Sequence, residues 1–551
     1  MIVALLVVPL LGSAVLALLA LRPPARVPGS MVAAADQAGR GMSGAGPDRP
    51  VGGHAAVPAA GEPVPSVSGI DRLAGWLGVG FSTVAFGLAL ALLPGTGAPR
   101  GGRVVDPRHE INTSWVAALG VRFHVGVDGV SVPLVVLTAL LTLLCTVYTL
   151  RSLPAPGRAP TFLALVLLLE AGLLGTFVAL DLVLFFVAFE LVLAPMYFLV
   201  AVWGSGEPAR RAAVKFILYT LLGSVLVLVG IVTIYASAHT FDLVELSQRA
   251  GAGLARGTQV GAFVALFAGF AVKSPLWPLH TWLPDAHTEA PTVGSVLLAG
   301  VLLKMGTYGL IRVALPVLPQ GARTLAPALG VLAVAGILVG SMCCLVQQDA
   351  KRLIAYSSVG HMGFVLLGIA TLTPVGVNAA LFGNVAHGLI TGLLFFLIGG
   401  VKDRYHTADL DTLGSGLAER QPRLGWLFAF TCVASLGLPG LAGFWGEALA
   451  LLAAYRPAGV LSRPLFLGLL AAAAVGTAVT TAYFLRLLRR LVLGPDIGTG
   501  AVSVGGAPDV HRVELLAWAP LVLLTILVGL YPRLVLDLTD APVRALLGTF
   551  T

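Results

Sequence analysis

Apolar positions along this chain fall into long blocks rather than stripes. A stripe every three or four residues marks a helix with one wet face. A block of about 20 apolar residues marks a helix that crosses a bilayer. Fourteen such blocks predict transmembrane helices over roughly 2–21, 74–93, 130–150, 161–180, 182–203, 212–236, 260–284, 291–315, 324–346, 353–373, 375–401, 424–452, 464–488 and 514–536. The first has no basic flank and no clear cleavage site, so it reads as a span rather than a signal peptide. Loops after odd-numbered spans hold 20 Lys and Arg, and loops after even-numbered spans hold 10, with Arg533 and Arg544 trailing the last span. The positive-inside rule then predicts that odd loops are cytoplasmic and both termini lie outside. Residues 22–72, rich in Ala, Gly, Pro and Ser, read as a flexible cytoplasmic linker.

Composition agrees with the pattern. Of the 551 residues, 57% are hydrophobic and only 11% charged, too few charges to cover a water-soluble surface. A soluble enzyme and a disordered chain are both excluded. The net charge of +8 is scattered through loops and forms no dense basic run, so nucleic acid is not indicated as a partner. Cys145, Cys343, Cys344 and Cys432 lie in apolar stretches without Cys-x-x-Cys spacing, which points away from metal, iron–sulfur and disulfide chemistry. No phosphate-binding glycine loop is present.

Against that background a few ionisable residues are out of place. Glu190, Lys273, Lys304, His387 and Glu447 each fall near the middle of a predicted span. A charge at mid-bilayer costs at least about 2.5–3.5 kcal/mol, so such a group is a functional candidate by default. Each alone could be a structural ion pair. Two acids, two lysines and a histidine together suit a proton relay better, because all exchange protons once burial moves their pKa. His361 is balanced between core histidine and relay, and Glu170 and Lys215, nearer span ends, are weaker candidates. Asp285, His287 and Glu289 fall in a short loop where Asp285 or Thr288 could cap the next helix. His280 and His287 match no metal-binding spacing.

Two spans are interrupted, the seventh by Pro275, Pro278 and Pro284, the twelfth by Pro439 among Gly437, Gly440, Gly443 and Gly446. Proline breaks the helical ladder, which a bilayer tolerates only where protein or cavity water satisfies the freed groups. Interrupted helices in matching places are a signature of inverted-repeat transporters. The breaks lie five spans apart, so spans 4–8 and 9–13 pair as two inverted five-helix units, with Lys273 in one corresponding to Glu447 in the other. The predicted fold is an all-α polytopic membrane protein. Its divisions are a first helix (1–21), the linker (22–72), spans 2–3 with an outer loop (73–150), the repeats (151–320 and 321–495), and a loop with the last span (496–551).

The stretches FELVLAPMYFLVAVWG, KSPLWPLHTWLPDAHTEAPTVGSVLLAGVLLKMGTYGLIR, LIAYSSVGHMGFVLLGI and LPGLAGFWGE resemble the antiporter-like, proton-translocating subunits of respiratory complex I. The resemblance runs from about residue 125 to 490. Glu447 in place of a lysine, and a chain that stops after span 14, fit the family type that lacks a long lateral helix. The resemblance implies that Glu190 tunes the pKa of Lys273, that Lys304 and His387 lie on the central polar axis with His361 in a neighbouring motif, and that Glu447 leads outward. It also implies no cofactor in this chain, with NADH oxidation and quinone reduction left to other subunits. The partners would be neighbouring membrane subunits, lipid and protons, in a bacterial-type plasma membrane. One pKa unit is about 1.36 kcal/mol and one charge across 100 mV about 2.3 kcal/mol, so a swing of two or three units in Lys273 could drive a proton uphill. Subunits of multisubunit Na⁺/H⁺ (Mrp-type) antiporters and membrane-bound hydrogenases share these motifs and are the alternative readings.

Overall fold

The computed structural model describes residues 1–21, 68–97, 103–151, 159–494, 508–548 and 550. Twelve described helices are long and apolar enough to cross a membrane, among them Leu182–Trp203 (span 5), Gly206–Ala238 (span 6), Thr292–Val317 (span 8), Pro319–Val346 (span 9), Ala350–Ala370 (span 10) and Pro374–Tyr405 (span 11). The two remaining blocks are the interrupted ones. Span 7 divides into Arg256–Lys273 (7a) and Trp282–Glu289 (7b), and span 12 into Pro422–Ser435 (12a) and Ala442–Tyr455 (12b). The linker reading falls mostly on 22–67, outside the described residues. Its last residues already belong to span 2, where Ser68 caps the helix Gly69–Ala91 by accepting from the Asp71 amide.

Burial sorts the spans by role. Spans 8, 10 and 11 are almost wholly enclosed, whereas spans 1, 6 and 13 (Arg463–Val492) turn most of their surface outward. The enclosed helices are those that carry Lys304, His361 and His387. The groups costliest to expose to lipid thus sit on the helices furthest from it.

Spans 4–6 and 9–11 share one hydrogen-bonding scheme. Asp181 caps span 5 through the Val183 and Leu184 amides, and Asp349 caps span 10 through the Arg352 amide. Spans 6 and 11 end on His239 and His406, both in the left-handed conformation. The chain then returns through antiparallel bridges, Asp181 to Asp242 and Asp349 to Asp409. Leu182 donates to Phe241 at 2.9 Å, as Ala350 does to Ala408 at 2.8 Å. Equivalent residues are 167 or 168 apart. Five spans separate them, so the two bridges lie on opposite membrane faces.

Two features of the even-loop face are absent from the apolar pattern. The loop before span 3 (Val132–Thr149) folds as a hairpin of β1 (Arg108–Val116) and β2 (Val121–Val127). Its polar, alternating residues carry no block signal. After span 14 (Arg512–Leu530), a helix over Arg533–Leu546 buries Val535, Thr539, Val543 and Leu546 along one face. Asn378 fixes this helix over the end of span 11 by donating to Asp540 at 3.0 Å and accepting from Thr539 at 2.7 Å.

The hairpin is clasped to the body through His124. This ring is buried and bonded on both sides, Nδ1 to Asp242 at 2.8 Å and Nε2 to Glu110 at 2.9 Å. Burial alone would lower its pKa. The two carboxylates more than offset that and hold it above the usual 6.5. Nearby, Arg312 of span 8 forms a buried ion pair with Asp128, and Tyr308 donates to the Phe177 carbonyl at 2.8 Å. These bonds join the same ends of spans 3, 4 and 8.

Candidate functional site

Glycine contacts bring the polar helices together. A Cβ on Gly388 would stand 2.8 Å from the Gly300 carbonyl, and one on Gly446 would stand 2.8 Å from the Gly383 Cα. Only hydrogen fits at these crossings, so span 8 meets span 11 and 12b meets span 11 at backbone distance. Thr307 and Asn384 hydrogen-bond across the first crossing at 2.9 Å. Lys304 and His387 each lie three residues from that bond in sequence.

The result is a line of titratable groups with one gap. Lys304 Nζ donates to His387 Nδ1 at 2.6 Å and also to the Ala299 carbonyl. The His387 and His361 rings stand 5.9 Å apart. His361 Nδ1 donates to Glu447 at 2.9 Å, and its other nitrogen accepts from the Ser435 hydroxyl at 3.2 Å. A cavity of about 30 Å³ lies among His361, His387, Ser435 and Glu447. It holds more than the volume one water centre needs, and its lining offers polar partners. His361 was the weaker candidate in the sequence, yet it is the link between His387 and Glu447.

Glu190 and Lys273 form a separate pair near the break of span 7. Lys273 ends 7a and is 1% exposed. Its ammonium has no hydrogen-bond partner and lies 4.4 Å from the centre of the Phe189 ring. Glu190, next to Phe189 on span 5, makes no ion-pair contact with Lys273 and leaves one carboxylate oxygen without a hydrogen-bond partner. The break itself is made good by Trp282 of 7b, whose indole donates to the Val272 carbonyl at 3.0 Å. Lys273 and Glu447 lie 174 residues apart, not 167 or 168, so the two halves match in their breaks rather than residue for residue.

The weaker candidates separate. Glu170 lies within the helix Ala159–Val178 rather than at its end, fully buried with both oxygens unpartnered. Lys215 donates to Asp285 at 2.7 Å, and Asp285 also faces Arg352 at 3.4 Å. Asp285 and Thr288 do not cap the next helix. They lie within the short helix 7b, where Thr288 donates back to the Pro284 carbonyl, and span 8 starts after Pro291. The Pro-rich loop reading missed 7b because proline at the start of a helix is harmless. Among the described residues no group of three or more His, Cys, Asp or Glu could hold a metal ion.

Residues 179–469 match the family model for the membrane part of NADH:quinone oxidoreductase and Mrp antiporter subunits. NADH-quinone oxidoreductase subunit M of Rhodobacter capsulatus is 40% identical over 491 residues, covering 87% of this chain and 91% of that protein. The chain belongs to the M-type subunits of NADH-quinone oxidoreductase. A chain of respiratory complex I from Thermus thermophilus superposes with a TM-score of 0.76 at 30% identity, covering 88% of this chain and 97% of that one. A chain of the Mrp complex from Dietzia sp. shares the fold, with a TM-score of 0.73 at 24% identity over 87% and 93%. As an M-type subunit, the chain is an antiporter-like, proton-translocating, multi-pass part of respiratory complex I. Its family carries no redox centres.

Proposed function

We propose that this chain moves protons along Lys304, His387, His361 and Glu447, and that the charge of Lys273, set by Glu190, governs when Lys304 receives one. The observation that carries this reading is the line of bases and acid from mid-span 8 to 12b, bonded at both ends and interrupted only between the two histidine rings. Every member can hold a proton in one state and lack it in the other, and the His361–His387 gap borders a cavity large enough for water. Energy comes from NADH oxidation and quinone reduction in other subunits, with neighbouring antiporter-like subunits as contacts. The Lys and Arg count supports a plasma-membrane topology with both termini outside, so Glu447, on the later half of an outward-running span, stands on the exit side. The repeats over 151–320 and 321–495 serve as two half-paths that meet at Lys304.

The test is Glu447→Gln in the assembled complex, read as protons pumped per electron pair by membrane vesicles. Gln keeps the shape and loses the exchangeable proton, so pumping drops. Pumping at the wild-type ratio in an assembled Gln variant rejects the relay.

A further inference from the structure

Resting on that reading, we propose a second proton entrance from the cytoplasmic side, in which Lys351 passes a proton through His287 to Lys304. Lys351 is an unusual residue for its place. It stands in the first turn of span 10, where the partial positive charge of a helix start disfavours a cation. It is nevertheless buried, at 3% exposed, and its ammonium is held by the Ala290 carbonyl at the end of 7b. A structural role would be met more cheaply by a neutral donor.

His287 is the second observation. It is fully buried, and neither ring nitrogen has a hydrogen-bond partner. The ring stacks on Phe395 of span 11, centroids 4.4 Å apart and planes 10° from parallel. Both ring edges are thereby left free to meet a donor or acceptor. The Ala290 carbonyl that holds Lys351 lies three residues beyond His287 in the chain. Ser295 of span 8 donates to the His287 carbonyl at 3.2 Å, tying 7b to the helix that carries Lys304. At the surface end, Glu289 precedes Ala290 on 7b and Asp349 caps the helix that carries Lys351. Asp403 is exposed and accepts from Tyr148 at 2.8 Å.

The transfer balances without a co-reactant. Lys351 gives one proton to neutral His287, the imidazolium gives its other-side proton to neutral Lys304, and the Lys351 amine recovers a proton from cytoplasmic water past the Glu289 and Asp403 carboxylates. Lys304 can then be loaded without a proton crossing from Lys273.

Two variants test this in the intact complex, with assembly checked by native electrophoresis and the initial rate of proton uptake by inverted vesicles as readout. Lys351→Arg keeps the charge and the bond to Ala290 but releases protons far too rarely, so uptake falls to the share that crosses from Lys273, about twofold or more below wild type. His287→Phe keeps the stack on Phe395 and removes proton exchange, with a fall of similar size. Wild-type uptake in Lys351→Arg makes Lys351 a structural cation and overturns the entrance. A slow Lys351→Arg beside a normal His287→Phe overturns the route through His287. If Lys351→Arg does not assemble, His287→Phe decides alone. Glu447→Gln is measured alongside: if it pumps normally, the relay itself fails, whereas a slow Glu447→Gln with both other variants normal rejects only the entrance.

Discussion

At the break of span 7 the ionisable side chain sits on the helix that comes before. At the break of span 12 it sits on the helix that comes after. Lys273 has no hydrogen-bond partner and meets an aromatic face. Glu447 is bonded to His361 beside a water-sized cavity. One break therefore holds an ammonium with no hydrogen-bond partner, and the other holds a carboxyl group bonded to its neighbour. A buried lysine that no polar group contacts responds strongly to any change in nearby charge. In the proposed relay, a carboxylate in a bonded chain passes protons instead. The two halves share a scaffold and differ in what they do with it.

The comparison predicts most at Lys273. Lys273→Met removes the field-sensitive charge without leaving an unpaired partner in contact, so the complex should assemble while pumping falls about tenfold or more. Normal pumping by an assembled variant would place Lys273 outside the relay. At the wired end the order should be wild type, then Glu447→Asp, Glu447→Lys and Glu447→Gln, in protons per electron pair. The lysine variant restores an exchangeable proton but as an ammonium cannot accept from His361, so it should keep part of the activity. A Gln variant equal to wild type would reduce Glu447 to a packed polar residue.

Glu190 should respond by charge rather than by fit. Because no ion-pair contact joins it to Lys273, Glu190→Asp should pump nearly as well as wild type, and Glu190→Gln should be impaired with assembly intact. Loss of assembly in Glu190→Gln would instead mark a structural pair, whose rupture costs about 3–5 kcal/mol.

The smallest effect belongs to the two bridges. Only the one at Asp242 carries a titratable clasp, His124. Its pKa is raised in the folded chain, so the clasp contributes fully below about 6.5 and is lost as pH rises through the raised value. Hydrogen exchange of residues 108–127, corrected for intrinsic rates, should quicken with rising pH in that window, while residues 406–412 stay unchanged. His124→Gln should weaken the hairpin by about 1–3 kcal/mol and abolish the pH dependence. A pH response persisting in that variant would assign it to another group.

The spans were legible because bilayer crossing imposes a length and a composition on each block. The breaks were legible because Pro275 and Pro439 stand where no continuous helix could hold them. Glu190, Lys273, Lys304, His387 and Glu447 stood out by contrast with their surroundings. The importance of His361 was not, since its partner Glu447 lies 86 residues away and meets it only where span 10 packs on 12b. The hairpin was hidden for a different reason. Its residues are half polar and its docking depends on His124 meeting Asp242, 118 residues away in sequence.

Span 8 adds a dependence on counting rather than on chemistry. Just before Lys304 the helix widens into a π turn over Leu298–Leu302, with the Leu303 amide reaching back five residues to Leu298. The widened turn leaves the Ala299 carbonyl able to accept from Lys304. It also sets the phase of everything that follows, because each residue turns a helix by about 100°. Were that turn to tighten into ordinary helix with all five residues kept, the rest of span 8 would rotate by about a quarter turn. The chain would keep Lys304, His387, His361 and Glu447 in its sequence, and the lysine would face away from the histidine.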